Sequence, residues 1–575
     1  MHSGRISELI QSRKPVESYH GIVATGHPLS AQAGGWVLEK GGNAFDAAAA
    51  AIFASWVVEP ASCGLGGIGQ GNVFIEAAGE VKTLQARAVP RHATEDMFAL
   101  EPGLDPWGRW RKVRDDANMI GPRAPMIPGL LAGICDIVSG LGSMELAELL
   151  QPAIAYSRDG IPVDGYHVLH VASNFTRLRQ YDETARIFLP NGAPPRASSF
   201  HQTGSRLVQA DLARSLEDIA KGGPDVFYKG ELAERIAQYI AANGGILDYH
   251  DLATYRPSFE LAERRSTYRD TEQIRTDGYF VPLILNILEH FDLRSYEPRA
   301  PEYLHLVIEA TRYAFASLLE YLADPQIKPS PIEGLWSKDF SAEIATRIDR
   351  KRAAEDVQPV DPWPFETRIT GQERPAEDPI EPSRSNHDPG TTQVIAADEA
   401  GNVATFNLTH SGAFGSMVTV PGTGILLNGA MTSMDPEPGK AHSIHPNRRQ
   451  MNFCAPVLVL SRGAPFFAFS GSGGRSIISC QTYVLSHMID HQMTGQEAIE
   501  APRTHCETRQ VFVDSRVGRS AIRDLRAIGH NLEVVEETFY APYFARPVVI
   551  EKVDGDPPHY RSGISQCHRA AAVGL

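Results

Sequence analysis

Thr391 and Thr392 follow Gly390 at an abrupt change of sequence pattern. A threonine at a chain start can be nucleophile and base in one residue. Its hydroxyl attacks a carbonyl, and its own free α-amine, of pKa near ~8, takes the proton. Cleavage between Gly390 and Thr391 would expose that amine. Glycine before the bond tolerates backbone angles closed to other residues, and Thr391 could attack the Gly390 carbonyl in an N-to-O shift. Alone, Gly-Thr-Thr says little, because β-branched residues are common in strands. A second group adds weight. Gly471, Ser472, Gly473 and Gly474 join a strand-like run to a helix-like run. Backbone N–H groups at such a helix start can meet a developing negative oxygen. No GxSxG elbow, HExxH or EF-hand-like loop occurs. Neither the usual serine-hydrolase arrangement nor a metal site is supported, and no cofactor is expected.

The elements that must position these residues are legible around them. TTQVIAAD and NVATFNLTH flank Glu399, Ala400 and Gly401, a hairpin signal. APVLVLSRG and APFFAFSGSGG repeat it around Arg462 and Gly463, and residues 475–490 read as a helix. Near the chain start, Ser30 can cap a helix that stops at Gly41, and Asn43 precedes a second helix over 44–58. That helix is apolar nearly all round, which argues burial. Residues 64–71, GLGGIGQG, superficially match a dinucleotide loop. They follow a helix and lead into a strand-like GNVFIEAAG, the reverse of the order a nucleotide site requires. The middle, 149–322, reads mainly helical. Residues 355–390 hold seven prolines and many charges and read as a mobile, exposed connector.

The chain has 575 residues, 42% of them hydrophobic, and a net charge of −15. That balance disfavours phosphate-backbone binding, so no nucleic-acid partner is expected. The six cysteines are scattered singly, without the spacing of a disulfide framework or zinc site. No run reaches the ~18 apolar residues of a membrane span. The opening residues lack an apolar core of signal-peptide length, which makes a soluble cytoplasmic protein the default and leaves an unusual export route to the periplasm open.

Nine ordered blocks together resemble the γ-glutamyltransferase (glutathione hydrolase) family of N-terminal nucleophile hydrolases. They include GGNAFDAAAA (41–50), EPASCGLGG (59–67), QPAIAYSRDGIPV (151–163), GGILDYHDLATY (244–255), the run 391–416, GTGILLNGAM (422–431) and SGSGGRSII (470–478). The resemblance implies an α+β fold, a four-layer αββα sandwich formed jointly by two chains after self-cleavage. The large subunit would be 1–390, with its proline-rich tail at about 355–390, and the small subunit 391–575. Thr391 matches the nucleophile and Thr409 the second threonine that positions it. Gly473 and Gly474 match the oxyanion glycines, and Arg87 the arginine that grips a substrate carboxylate, a task suited to a bidentate guanidinium. The partners implied are a small-molecule amide and the two subunits of one precursor.

The departures from the family pattern fall where a glutamyl group would bind. Ser411 stands for an asparagine. Ala430 and Ser433 stand for a glutamine or glutamate and for the aspartate that holds the α-ammonium. Asn452 and Phe453 replace a two-serine pair, and Ala88 replaces an acid. The stretch between Gly439 and Pro446 is short where many relatives carry a lid loop. Burying an ammonium without a partner costs on the order of several kcal/mol. The resemblance implies a self-processing amidase, glutathione hydrolase- or γ-glutamyl acyltransferase-like, that works through a Thr391 acyl-enzyme. The alternative these departures raise is an amidohydrolase for a different carboxylate-bearing acyl group without an α-amine, such as a glutaryl or oxamate group, with an open pocket that favours hydrolysis over transfer. The alternative of another class is a relative that never matures and serves as a binding protein.

Overall fold

The segments flanking Glu399, Ala400 and Gly401 form an antiparallel hairpin, Pro389–Asp398 with Val403–Gly412, turning at Gly401 with φ +98°. It lies inside an eight-stranded sheet. The order is Ser258–Leu261, Glu80–Ala88, Ile68–Ile75, Val403–Gly412, Pro389–Asp398, Gly21–Thr25 and Ala571–Gly574, with Ile127–Pro128 pairing onto Glu80–Ala88. The second hairpin, Val457–Ser461 with Ala464–Ser472, turns at Arg462 and Gly463, both left-handed. It sits in a seven-stranded sheet ordered Glu17–Ser18, His559–Ile564, Arg546–Val553, Ala464–Ser472, Val457–Ser461, Glu272–Arg275 and Ser266–Tyr268. The computed structural model describes residues 13–105, 110–199, 201–262, 266–269, 272–325, 327–367, 389–449, 454–539 and 543–575.

Strand residues alternate between two faces, and the alternation builds the layers. Ile395 and Ala397 join Ile22, Ala24, Leu458, Ala468 and Val548 in a core between the sheets. Val394 and Ala396 join Val23 in a core beneath the helices Pro28–Glu39 and Ala44–Val58. On the far side of the second sheet, Val457, Val459, Phe467 and Phe469 pack beneath Phe280–Leu288, Pro301–Tyr321 and Ser476–Asp490. The order helix, sheet, sheet, helix is the αββα sandwich implied by the resemblance.

The Ala44–Val58 helix is buried along its whole length. Its alanines let the neighbouring helix come close: a Cβ at Gly34 would lie 2.9 Å from the Ala47 carbonyl oxygen. Asn43 caps it in a reciprocal box with Asp46. Asp46 also accepts from the Ser143 amide at 2.9 Å and the Ser143 hydroxyl at 2.7 Å, which ties the helix start to the end of Leu130–Leu141.

Three expectations change. The first helix is capped by His27, whose Nδ1 accepts from the Leu29 amide at 3.1 Å. Ser30 lies inside that helix, its hydroxyl 2.9 Å from Ser55 Oγ. The mainly helical middle also contributes short strands, and among them Ser258–Leu261, Ser266–Tyr268 and Glu272–Arg275 extend the edges of both sheets. The proline-rich stretch is not a free connector at its start. Val360 is buried, Phe365 packs on Phe340 at 5.7 Å, and Glu366 accepts from the amides of Glu333 and Gly334. Apolar residues among the prolines give that part a docking face. Residues 368–388 lie outside the described residues.

Asp46→Ala removes a helix cap and leaves the Ser143 donors without their acceptor. Stability falls by about 2–4 kcal/mol, read as a lower urea midpoint at unchanged slope. An unaltered midpoint would show that the box does not hold the helix.

Candidate active site

Alternation along Pro389–Asp398 turns Thr392 toward the helices and Thr391 toward the second sheet. Thr392 Oγ1 donates to Glu59 Oε2 at 2.9 Å, a carboxylate that is itself buried at the end of the Ala44–Val58 helix. Burial pushes the Glu59 carboxyl up, against the pull of Arg569, the Thr392 hydroxyl and Arg546. Thr391 Oγ1 lies 3.0 Å from Thr409 Oγ1 on the paired strand. Thr409 Oγ1 also donates in a close contact to the Gly390 carbonyl oxygen and accepts from the Ser411 amide at 2.7 Å. With its one proton on Gly390 O, Thr409 receives the proton of Thr391. One hydroxyl thus polarises the carbonyl before Thr391 and orients the oxygen that could attack it.

A bulge makes this possible. The register shifts between Gly390 and Thr391, which pair with Ser411 and Thr409 and leave His410 as the extra residue. Ser411 takes φ +76° to accommodate it. The His410 ring turns inward, where burial holds its imidazole down at about 3. A Cβ at Gly64 would lie 2.7 Å from His410 Nε2, and one at Gly66 would lie 2.3 Å from the Leu426 carbonyl. The glycines of the GLGG run are therefore packing residues that admit the bulge and its neighbours. Gly390 is set in the same way, since a Cβ there would lie 2.1 Å from the Gly412 oxygen.

The two sheets meet so that the glycine turn lies at this end. Thr405 Oγ1 donates to Phe469 O at 3.3 Å, and Ser470 Oγ to Phe406 O at 2.8 Å. Following both strands forward leads to Thr409 on one and to Gly473 and Gly474 on the other. Both glycines have positive φ, +140° and +60°, and they precede the Ser476–Asp490 helix. Ser476 Oγ donates to Gly473 O at 2.6 Å, and Cys454 Sγ to Gly474 O at 3.3 Å. A Cβ at Gly473 would meet Ala545 Cα at 2.7 Å, so the turn needs glycine for space as well as for angle.

Arg87 stands three strands from Thr391 at the same end of the sheet. A transverse row pairs Gln393 with Asn407, Asn407 with Gln70, and Gln70 with Gln85. Thr391 and Arg87 each lie two residues from that row, toward one end. Three strand spacings put their backbones roughly 14 Å apart. Arg87 is 6% exposed, and its Nη2 donates to Gln70 Oε1 at 2.8 Å. Its Nε has no partner, and no carboxylate forms an ion pair with it among the described residues. Burial lowers the guanidinium to about 10, with Asp277 opposing from a distance. It remains a buried cation, available to an anion.

Ala430 and Met431 begin a one-turn helix, Ala430–Ser433, and pack with Ile68, which pairs with Thr409. This brings buried Ser433 over the same region. The structure therefore gathers Gly390, Thr391, Thr409, Ser411, Gly473 and Gly474 at one end of the sandwich, with Arg87 and Ser433 on the same side. Asn452 and Phe453 lie outside the described residues. The stretch after Gly439 folds tightly on itself: Ser443 Oγ donates to Glu437 O at 2.6 Å, and His442 and Ile444 are buried. Sequence reading missed Gln70 and Glu59. The alternation of Gln70 and Asn72 with apolar residues was the available signal for the first; nothing local marks the second. A possible metal group among the described residues, His305, Glu309 and His530, is closed by its own bonds. His305 Nδ1 lies 2.7 Å from His530 Nε2, and Glu309 pairs with Arg312 at 2.7 Å.

Asp435, two residues past Ser433, accepts from the Glu437 amide at 2.9 Å. Burial pushes its carboxyl up to about 7, and the Glu437 and Asp105 charges add to the rise. The unfolded chain releases that proton near pH ~4, so the native state holds it longer and stability falls as pH rises from there to about 7. Asp435→Asn keeps the acceptor without the charge. Its melting temperature relative to the parent rises with pH through that window; a constant difference across it would refute the assignment.

The gamma-glutamyltranspeptidase family model matches residues 30–543. The chain is 34% identical over 534 residues to an acylase ACY 1 proenzyme of Pseudomonas sp. (strain SE83), covering 92% of this chain and 90% of that protein. It is 31% identical over 509 residues to a glutathione hydrolase proenzyme of Escherichia coli (strain K12), covering 85% and 82%. A solved structure of a cephalosporin acylase from Bacillus halodurans superposes with a TM-score of 0.84 at 25% identity, over 100% of this chain and 99% of that one. The chain belongs to the gamma-glutamyltranspeptidase family and is an amide hydrolase of the N-terminal nucleophile class.

Proposed function

We propose that the chain cuts itself between Gly390 and Thr391 into subunits 1–390 and 391–575, and that Thr391 then hydrolyses amides whose acyl group carries a second carboxylate and lacks an α-amine. The observation that carries the first step is the Thr409 hydroxyl, joined to both Gly390 O and Thr391 Oγ1. Thr391 Oγ attacks the Gly390 carbonyl carbon and the C–N bond breaks, leaving an ester and a free amine. Water cleaves the ester, giving the Gly390 carboxylate and the Thr391 hydroxyl.

The same oxygen then attacks the substrate carbonyl and passes its proton to the new amine, which hands it to the leaving nitrogen. The acyl-enzyme is released by water activated by that amine. Amides of Gly473 and Gly474 face the oxyanion, and Arg87 grips the distal carboxylate. Arg87 supports the acidic acyl group because it is buried, charged and in no ion pair among the described residues. Ala88, Ala430 and Ser433 supply no negative charge for an α-ammonium. Similarity to an acylase, at 34% identity, beside a glutathione hydrolase, at 31%, supports amide hydrolysis beyond glutathione.

Thr391→Ala stays a single 62.8 kDa chain on a denaturing gel and has no amidase activity, and Thr409→Val matures at least about tenfold more slowly. Matured protein turns over glutaryl-p-nitroanilide with kcat/KM at least about tenfold above γ-glutamyl-p-nitroanilide, a tenfold ratio being 1.4 kcal/mol of the cost of an unpaired buried ammonium. Processing in the alanine variant would overturn the nucleophile. Equal turnover of the two anilides would overturn the substrate class and favour the glutathione hydrolase reading.

A further inference from the structure

Gln70 uses both ends of its amide between two parts of the site. Its Oε1 accepts from Arg87 Nη2 at 2.8 Å, and its Nε2 donates in a close contact to the Cys454 carbonyl. Cys454 in turn donates through Sγ to Gly474 O at 3.3 Å. An unbroken path thus runs from the guanidinium, through one buried side chain, to the segment that holds the glycine turn. The strand beneath is fixed: Gln70 pairs with Asn407 on one side and Gln85 on the other, and its neighbour Asn72 donates to Pro456 O at 2.8 Å.

The residue type matters in two ways. A primary amide offers an acceptor to the arginine and a donor to the carbonyl from two separate atoms, so it can span the gap between them. It is also neutral, so it orients Arg87 without cancelling its charge. The carboxylate whose charge acts on Arg87, Asp277, takes a close hydrogen bond from Gln85.

We infer that Gln70 is a positioning residue that sets the length of acyl chain the enzyme accepts, by fixing Arg87 relative to the Cys454 and Gly474 segment. This rests on the reading above, in which Arg87 holds the distal carboxylate and Gly474 faces the oxyanion. The separation of those two contacts is the separation of carboxylate and scissile carbonyl in the substrate. With that separation pinned at both ends, one methylene too many or too few strains one of them.

The test uses matured enzyme with the succinyl, glutaryl and adipyl p-nitroanilides and the methyl ester of the best of them. The parent shows a sharp optimum, losing about tenfold or more in kcat/KM for one methylene either way, and prefers the free acid to its ester. Gln70→Leu flattens the length profile, mainly through KM on the best substrate. Gln70→Glu places an anion beside Arg87, so the preference for acid over ester drops by about tenfold or more. It also serves if the leucine variant fails to mature into two chains. Gln70→Leu or Gln70→Glu keeping both the parent's length optimum and its acid preference would overturn the inference. A parent enzyme indifferent to the methyl ester would instead overturn the carboxylate reading beneath it, and the role of Gln70 with it.

Discussion

The hydroxyl of Thr409 has one proton and two lone pairs, and the fold commits all of them within one bulge. The proton goes to the carbonyl before Thr391, one lone pair takes the Ser411 amide, and the other faces the Thr391 hydroxyl. This fixes which oxygen can attack and which carbonyl is activated, because the hydroxyl cannot donate to both neighbours. The rest of the structure near the bond follows from keeping that bulge in place. His410 must go inward, Gly64 must leave room for its ring, Ser411 must adopt a left-handed angle, and Gly390 must carry no side chain.

The same geometry explains why the site stands where the sheets end. Along the Pro389–Asp398 strand, Gly21–Thr25 pairs with residues 394–398 and stops short of Thr391, after which Gly26 turns the chain into its first helix. Thr391 is therefore held by the Val403–Gly412 strand on one edge while the other edge of its backbone is left unpaired by Gly21–Thr25. A catalytic amine needs that arrangement, with a side chain pinned by a neighbour and a backbone nitrogen not already spent in a ladder. Glu59 secures the next residue from the helix side, through Thr392.

Much of this was legible in the sequence, and the reasons are local. Both hairpins declare themselves by period two around left-handed turns, at Gly401 and at Arg462 with Gly463. The Ala44–Val58 helix declares itself by its cap and its unbroken apolar run. The threonines and glycines of the site sit on those elements, so their placement followed. What was not legible depends on distant partners. His27 displaced Ser30 as a cap because Ser30 is needed against Ser55 in the neighbouring helix. The docked start of the proline-rich stretch depends on a surface offered by Phe340 and the backbone at Glu333 and Gly334. Gln70 reads as one polar residue in a strand; its meaning lies in two contacts, 17 and 384 residues away along the chain.

The strands before and after Thr391 interleave in both sheets. Ile68–Ile75 and Gly21–Thr25 clasp the central hairpin, and Glu272–Arg275 completes the sheet built on Val457–Ser461. Severing the chain at that bond would change its thermodynamics. Unfolding becomes dissociation, and recovery requires two polypeptides to meet and rethread alternate strands, a concentration-dependent step. An intact chain folds with the advantage of tethering, and a severed one would persist for as long as its barrier to opening lasts.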